Sequence, residues 1–359
     1  MNVLMISRPT LFSVPGGDTV QVRETAAALQ NAGVEVAVKL ADEAIDYQPY
    51  DLIHFFNVIR PNAISPHVKK SGLPYVISTV FVDYTEVERK HRGSIFRLAA
   101  SLLGSDGTEY LKTIARSVKN KEPILDDSYL WRGHRRSVEQ LLNGANMLLP
   151  NSESEFRRLQ QRYRFRNVHR SISNAVSDDF FQESTTKERR DVLCIGRIEL
   201  IKNQLNLIRA VNETDIQLRI VGTPAPNHQG YFEYCKSTAA ENVKFLGQLS
   251  KAEVIQELSR AKVHVLPSYF ETTGLSSLEA AAMGCNVVIT DKGDTREYFG
   301  DLAFYCDPDS PESIRGAIQK ALHAPVNPAL KERLRMNYRW EITAKKTLEA
   351  YESVLRQGN

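Results

Sequence analysis

Short apolar runs alternate with helix-length segments along most of the chain, and the alternation stops once and then restarts. In the first series Asn2–Ser7, Val34–Leu40, Asp51–Phe56 and Tyr75–Val82 read as strands. Thr19–Asn31 reads as the helix between the first two, with Val22, Ala26 and Leu29 at helical spacing. Asp18 is placed to cap that helix and Gly33 to close it. Strand, helix, strand at this spacing implies crossover connections and hence a parallel sheet. A continuously apolar run such as NVLMIS suits a strand covered on both faces.

A long, charged, helix-prone segment, 86–144, interrupts the series. Met147–Pro150, Glu153–Arg162 and Val168–Ile172 then read as strand, helix and strand. Residues 173–190 are polar and turn-rich, which marks a linker. The second series has strands at Val192–Ile195, Gln217–Val221, Val243–Leu246, Val263–Leu266, Asn286–Thr290 and Leu302–Tyr305. Helices are predicted at Asn203–Val211, Tyr231–Ala240, Lys251–Ser259, Ser276–Met283, Pro311–Leu322, Pro328–Met336 and Ile342–Leu355. The fold class is therefore α/β, with two Rossmann-like domains, 1–172 and 173–337. A ligand is expected in the cleft between them, facing the carboxyl ends of the strands.

The length agrees, since single cores rarely grow past about 250–300 residues and this chain has 359. No apolar run approaches the roughly 20 residues that span a bilayer. The first residues lack a basic n-region, so no signal peptide is expected. Cys194, Cys235, Cys285 and Cys306 are widely spaced and read as reduced thiols of a cytoplasmic protein. Charge is uneven: residues 1–172 hold 23 Lys/Arg against 18 Asp/Glu, and the remainder 23 against 25. The excess lies in 86–136 and in Arg157, Arg158, Arg162, Arg164, Arg166 and Arg170. Such a half can attract a phosphate-bearing substrate or an anionic membrane surface. No nucleic-acid motif accompanies it.

Three loops carry chemistry. Gly16-Gly17 lies between the first strand and helix, where glycine lets backbone approach a phosphate. The loop Gly196-Arg197-Ile-Glu-Leu-Ile-Lys202-Asn203 follows the first strand of the second series. Its two cations suit a leaving pyrophosphate, whose charge grows as its bond breaks. The stretch Pro267-Ser-Tyr-Phe-Glu271-Thr-Thr-Gly274-Leu275-Ser-Ser-Leu-Glu279 follows a buried strand and enters a helix. Its carboxylates accept hydrogen bonds from hydroxyls, which suits ribose and a sugar. The ordinary alternatives are a tight turn, solvated cations and acids that favour a helix dipole.

Together these elements resemble the retaining glycosyltransferases of family four, which have the GT-B fold. The resemblance covers nearly the whole chain and is densest over 191–306, through the glutamate-x7-glutamate and GR(x)4K elements. Asn174-Ala175-Val176 and Tyr338-Arg-Trp340-Glu-Ile-Thr-Ala are also similar. The resemblance implies that about 338–359 cross back to the N-terminal, acceptor-side domain as a helix. It implies that Arg197 and Lys202 hold the diphosphate and that Glu279 binds ribose hydroxyls. Glu271 would contact the donor sugar, Gly274 and Leu275 would lie under the phosphates, and Gly16 and Gly17 would meet the donor. Glu271, Arg197 and Lys202 are then the catalytic candidates, with no metal or other cofactor.

Two departures matter. Many relatives carry a histidine after the fourth strand, where this chain reads Ser78-Thr79-Val80-Phe81-Val82-Asp83. Thr79 and Asp83 are the nearest polar groups, and His54 either lines the acceptor side or is packed and hydrogen-bonded. Thr273 stands where an aromatic often precedes the glycine. Asp307-Pro308-Asp309 has the DxD look of a metal site but sits where aspartates make ordinary turns. The expectation is a cytoplasmic hexosyltransferase using a nucleotide diphosphate sugar. Its acceptor would be a glycan or lipid-linked, at the inner membrane face, as in bacterial surface polysaccharide synthesis. The alternatives are a non-catalytic sugar-nucleotide-binding subunit, or an epimerase or hydrolase on the same fold.

Overall fold

The computed structural model describes residues 1–82, 106–115, 124–182 and 188–357. These form two compact units. The first takes residues 1–81, the described part of 92–174 and 340–357; the second takes Val82 and the described part of 175–339.

In unit one the strands are β1 (Asn2–Ser7), β2 (Glu35–Leu40), β3 (Leu52–Phe56), β4 (Tyr75–Ser78) and β5 (Met147–Leu149). They pair in parallel in the order β2-β1-β3-β4-β5. The strands β1, β3 and β4 are mostly apolar and, Asn2 apart, buried, because both faces are covered. The first helix, Gly17–Asn31, returns the chain from β1 to β2 and buries Val22, Ala26 and Leu29. Gly33 follows it with φ +83, a conformation that favours glycine. The last helix, Trp340–Gln357, packs Ala344, Ala350, Tyr351 and Val354 into the same core as Val22 and Leu29.

Unit two holds β6 (Asp191–Ile195), β7 (Leu218–Val221), β8 (Val243–Gly247), β9 (Ala261–Leu266), β10 (Asn286–Thr290) and β11 (Phe304–Cys306). All neighbours are parallel, in the order β11-β10-β9-β6-β7-β8. This is the doubly wound order, and its switch point lies between β6 and β9. Hydrophobic cores cover both faces. The ends of the unit are tied: Val176 N–H donates to Tyr338 O at 2.9 Å, and Arg339 grips Asp178 with two 2.9 Å bonds. All four cysteines are free and buried, and burial pushes the Cys194 thiol up to about 12.

Three local expectations need correction, and one helix is new. Val168–Ile172 is not a regular strand; it runs beside β5 with one isolated bridge, Leu148–His169, and one further bond, from Ile172 N–H to Pro150 O at 2.8 Å. Its residues alternate against burial, with Val168 exposed and only Ile172 in the core. Strand β4 stops at Ser78 rather than Val82, because Val80 turns to φ 45. Asp18 does not cap the first helix. Gly16 is the cap residue, its N–H donates to Thr19 Oγ1, and Asp18 is taken by Arg8. A helix at Pro61–Ser71, not read from the sequence, carries Pro66 inside and Gly72 at its end.

The interrupting segment, 86–144, lies in part outside the described residues. What is described includes helices Ser128–Arg132 and His134–Gly144, the second packed by Val138, Leu141 and Leu142.

Candidate functional site

The carboxyl ends of β6 and β9 meet at the switch point of unit two, and the two motif-bearing loops leave from there. Lys202 lies at the end of a 3-10 turn, Leu200–Lys202, and its Nζ donates to Glu271 Oε1 at 2.7 Å. The pair is largely buried, with side-chain exposures of 22% and 7%. Ser268 Oγ donates to the same Oε1 at 2.6 Å. Among the described residues no donor reaches Glu271 Oε2. Arg197 Nη2 pairs with Glu199 at 3.2 Å and is 40% exposed. Lys202 is therefore not a solvated surface cation, while Arg197 keeps much of its guanidinium in water.

The loops are bound to one another. Tyr269 N–H donates to Ile201 O at 2.8 Å. Asn203, in the left-handed region at φ 58, sends Nδ2 to Pro267 O and to Pro308 O. It thereby joins the loops after β6, β9 and β11. Sequence reasoning passed over Asn203, although asparagine is a residue that tolerates that conformation. Gln204 adds a bond to Arg197 O.

Backbone crowding fixes the rest. Asp294 N–H donates to Glu271 O, and Gly293 sits at φ +81 against that segment. A Cβ on Gly293 would come within 2.0 Å of Glu271 O. Gly222 is held as tightly, since its Cβ would lie 2.0 Å from Gly196 O.

Gly274, at φ 71, starts the Leu275–Ala282 helix, and no side chain caps that end. Ser276 Oγ donates to Ile195 O at 2.9 Å, which ties the first helical turn to the end of β6. Uncapped N–H groups and the helix dipole favour an anion there. Glu279 lies half-buried within this helix. Structure thus brings Arg197, Lys202, Glu271, Gly274, Leu275 and Glu279 to loops and a helix end at one switch point. The Asp307–Asp309 turn leads into the Ser310 cap of the Pro311–His323 helix, with Asp309 N–H bonded to Asp307. Among the described residues no three His, Cys, Asp or Glu side chains cluster as for a metal.

Unit one contains the remaining candidates. Gly16 has an extended φ of −154 and Gly17 begins the first helix, so neither needs glycine's left-handed freedom. Their turn is organised by Arg8, which sequence reasoning missed. Arg8 is 8% exposed, bonds Thr10 and Val14 O, and holds Asp18 through Nε at 2.6 Å and Nη2 at 3.1 Å.

The acceptor-side candidates are not gathered. His54 is a core histidine: Nδ1 meets Tyr351 Oη at 2.7 Å, Nε2 meets Ser78 Oγ at 2.8 Å, and its ring stacks on Phe56. Burial lowers its pKa to about 3. Thr79 is fully buried and donates to Glu155, whose carboxylate also accepts from Phe81 N–H and Asn151 N–H. Neither side chain is available to an acceptor. Asp83 lies outside the described residues. In the arginine cluster, Arg162 pairs with Asp106 and Arg170 with Glu349.

Residues 176–341 match the sequence family described as glycosyl transferases group 1. The chain is 25% identical over 385 positions to a D-inositol 3-phosphate glycosyltransferase of Pseudarthrobacter chlorophenolicus, covering 95% of this chain and 91% of that one. Sucrose-phosphate synthase from Thermosynechococcus elongatus superposes with a TM-score of 0.75 at 16% identity, covering 99% of this chain and 100% of that one. HepE of Anabaena, in complex with UDP and glucose, gives 0.72 at 15% identity, covering 98% and 100%.

Proposed function

We propose that this chain, which has the GT-B fold and carries a group 1 glycosyltransferase domain, is a retaining hexosyltransferase that needs no metal. The donor is a nucleotide diphosphate sugar and the acceptor a glycan or lipid-linked glycan, met in the cytoplasm at the inner membrane face. One observation carries this reading: the buried Lys202–Glu271 pair at the switch point of the motif-bearing sheet. HepE's complexes with UDP and UDP-glucose support the donor class. Among the described residues no helix is long and apolar enough to cross a membrane.

In this reading the diphosphate lies against the Lys202 ammonium, the Arg197 guanidinium and the N–H groups after Gly274. Glu279 receives ribose hydroxyls. Glu271, with Oε1 already occupied, offers Oε2 to a sugar hydroxyl. The bond from the sugar's anomeric carbon to the phosphate oxygen breaks, and its electron pair stays with the diphosphate. The two cations stabilise that growing charge more than they stabilise the bound donor. The acceptor oxygen bonds the same carbon on the same face, and its proton passes to the departing phosphate oxygen. No side-chain base is required, which fits the absence of a histidine after β4. The roles of Gly16 and Gly17 rest on the resemblance alone.

The test is a calorimetric titration of UDP, GDP and ADP without divalent metal, on wild type and Lys202→Ala. Tight binding of one nucleotide, lost in the variant, is expected. Binding that survives Lys202→Ala overturns the placement of the diphosphate. A non-catalytic sugar-nucleotide-binding subunit is the second reading, favoured by the burial of both His54 and Thr79. Turnover of the bound nucleotide sugar, with release of free diphosphate, rejects it.

A further inference from the structure

We propose that Ser268 is a positioning residue for the Lys202–Glu271 pair, acting through Glu271 rather than on the substrate. The inference rests on the reading that Lys202 meets the diphosphate. Ser268 has no exposed surface, and a buried hydroxyl must find an acceptor within the protein. It finds Glu271 Oε1 at 2.6 Å, the same oxygen that accepts Lys202 Nζ at 2.7 Å. Two donors on one oxygen fix its place, and among the described residues no donor reaches Oε2.

Behind Ser268 stands Thr290, fully buried at the end of β10, whose Oγ1 donates to Ser268 O at 2.6 Å. The arrangement therefore runs from β10, through the segment after β9, to the loop after β6. The backbone of Glu271 is pinned separately by Asp294 N–H, so Ser268 governs the side chain alone.

An alanine at 268 would leave the carboxylate held by Lys202 only. The terminal torsion of glutamate is broad, so the carboxylate could then turn and carry the ammonium with it. A displacement of about 1 Å in a group that meets a reacting phosphate is enough to cost binding and rate. Ser268 meets neither the nucleotide nor the sugar in this arrangement, so its effect must pass through Glu271.

A double-mutant cycle on nucleotide binding tests this. UDP, GDP and ADP are titrated into wild type, Ser268→Ala, Glu271→Ala and the double variant; alanine at 271 leaves no acceptor for the serine. Ser268→Ala is expected to weaken the binding nucleotide about 5-fold and Glu271→Ala about 10-fold, as losses of charge-assisted contacts of this size. The double variant is expected to bind within about 2-fold of Glu271→Ala, because the two side chains act as one unit. A serine with only a packing role would give multiplied losses of about 50-fold. That result, or wild-type binding by Ser268→Ala, overturns the proposal. Thr290→Val provides a second route if Ser268→Ala does not fold. It is expected to weaken binding about 2-fold in the wild-type background and not at all beside Glu271→Ala; equal losses in both backgrounds overturn the proposal. If wild type binds none of the three nucleotides, or Lys202→Ala binds as wild type does, the functional reading fails first and this inference falls with it.

Discussion

Each unit places a cation paired with a carboxylate in the loop after its own first strand. The two pairs are used differently. In unit one Arg8, after β1, spends its guanidinium on Thr10, Val14 and Asp18 within its own loop. In unit two Lys202, after β6, makes a single bond to Glu271 and keeps 22% of its side chain exposed. A planar fork with five donors can lock a turn from inside, whereas an ammonium on a flexible stem suits a ligand charge. The difference teaches that the same topological position can carry a staple or a ligand contact, and that hydrogen-bond saturation tells them apart.

The sharpest way to break this contrast is to remove each cation. Arg8→Ala leaves Asp18 without its cationic partner and is expected to cost about 3–5 kcal/mol of stability, as for other broken buried pairs. Nucleotide-diphosphate affinity should stay within about 2-fold, because no Arg8 donor is left for a ligand. Lys202→Ala is expected to reverse the pattern, weakening nucleotide diphosphate by about 100-fold or more while costing less stability than Arg8→Ala. Denaturant unfolding and calorimetry on both variants check this. Equal affinity losses in the two would erase the distinction.

Gly293→Ala comes next. The added Cβ would meet Glu271 O at 2.0 Å, backbone against side chain, at a φ that alanine rarely adopts. Something must shift, and Glu271 is the residue in the way. The expected outcome is about 10-fold weaker nucleotide binding from a displaced Lys202–Glu271 pair. Gly33→Ala is the control, since its φ is also positive but nothing lies within 4 Å of its Cβ. It should lose stability and leave binding unchanged.

Much of this was legible beforehand, and unevenly. The strands of both sheets followed from apolar runs, and the second series placed Lys202, Glu271 and Gly274 on loops at strand ends. Local pattern served there because doubly wound sheets put motifs in fixed places. What stayed hidden depends on long-range pairing. Arg8 looked like any residue after a strand, because its partners are set by how the loop folds back. The hydroxyl of Thr79 looked available until Glu155, 76 residues away in sequence, claimed it. His54 was open to two readings, and its bonds to Ser78 on β4 and to Tyr351 on the last helix decide for the packed one. The run at Val168–Ile172 contains apolar residues, yet only Ile172 is buried, and its pairing with β5 is reduced to an isolated bridge.

Acid should strain both units through buried histidines, His54 in unit one and His264 in unit two, with burial lowering His67 of unit one as well. Burial holds His54 and His264 near pKa 3, against about 6.5 in the unfolded chain. Between those values the unfolded state binds more protons, so stability rises with pH, and it is lost as pH falls below about 6.5. Each histidine contributes a slope of about 1.4 kcal/mol per pH unit in that window. Thermal or urea unfolding at pH 7.5, 6.0 and 5.0 reads the loss. Stability that stays flat down to pH 5.0 would show that neither ring is buried neutral.

The smallest effect separates the two histidines. His54 satisfies both nitrogens through Tyr351 and Ser78, whereas among the described residues neither nitrogen of His264 has a hydrogen-bond partner. Both are fully buried, so the pH term is similar while the neutral-pH term is not. His54→Leu strands two buried hydroxyls and is expected to cost about 1–3 kcal/mol at pH 7.5. His264→Leu removes two unsatisfied groups from between Leu193 and Val287, its neighbours across β6 and β10. It should be within about 1 kcal/mol of wild type, or more stable, at the same pH. Both variants should flatten the acid slope by the share of one histidine. Equal losses at neutral pH would mean that His264 has a partner after all, a bound water being the simplest, and the contrast between the two units would then rest on the cations alone.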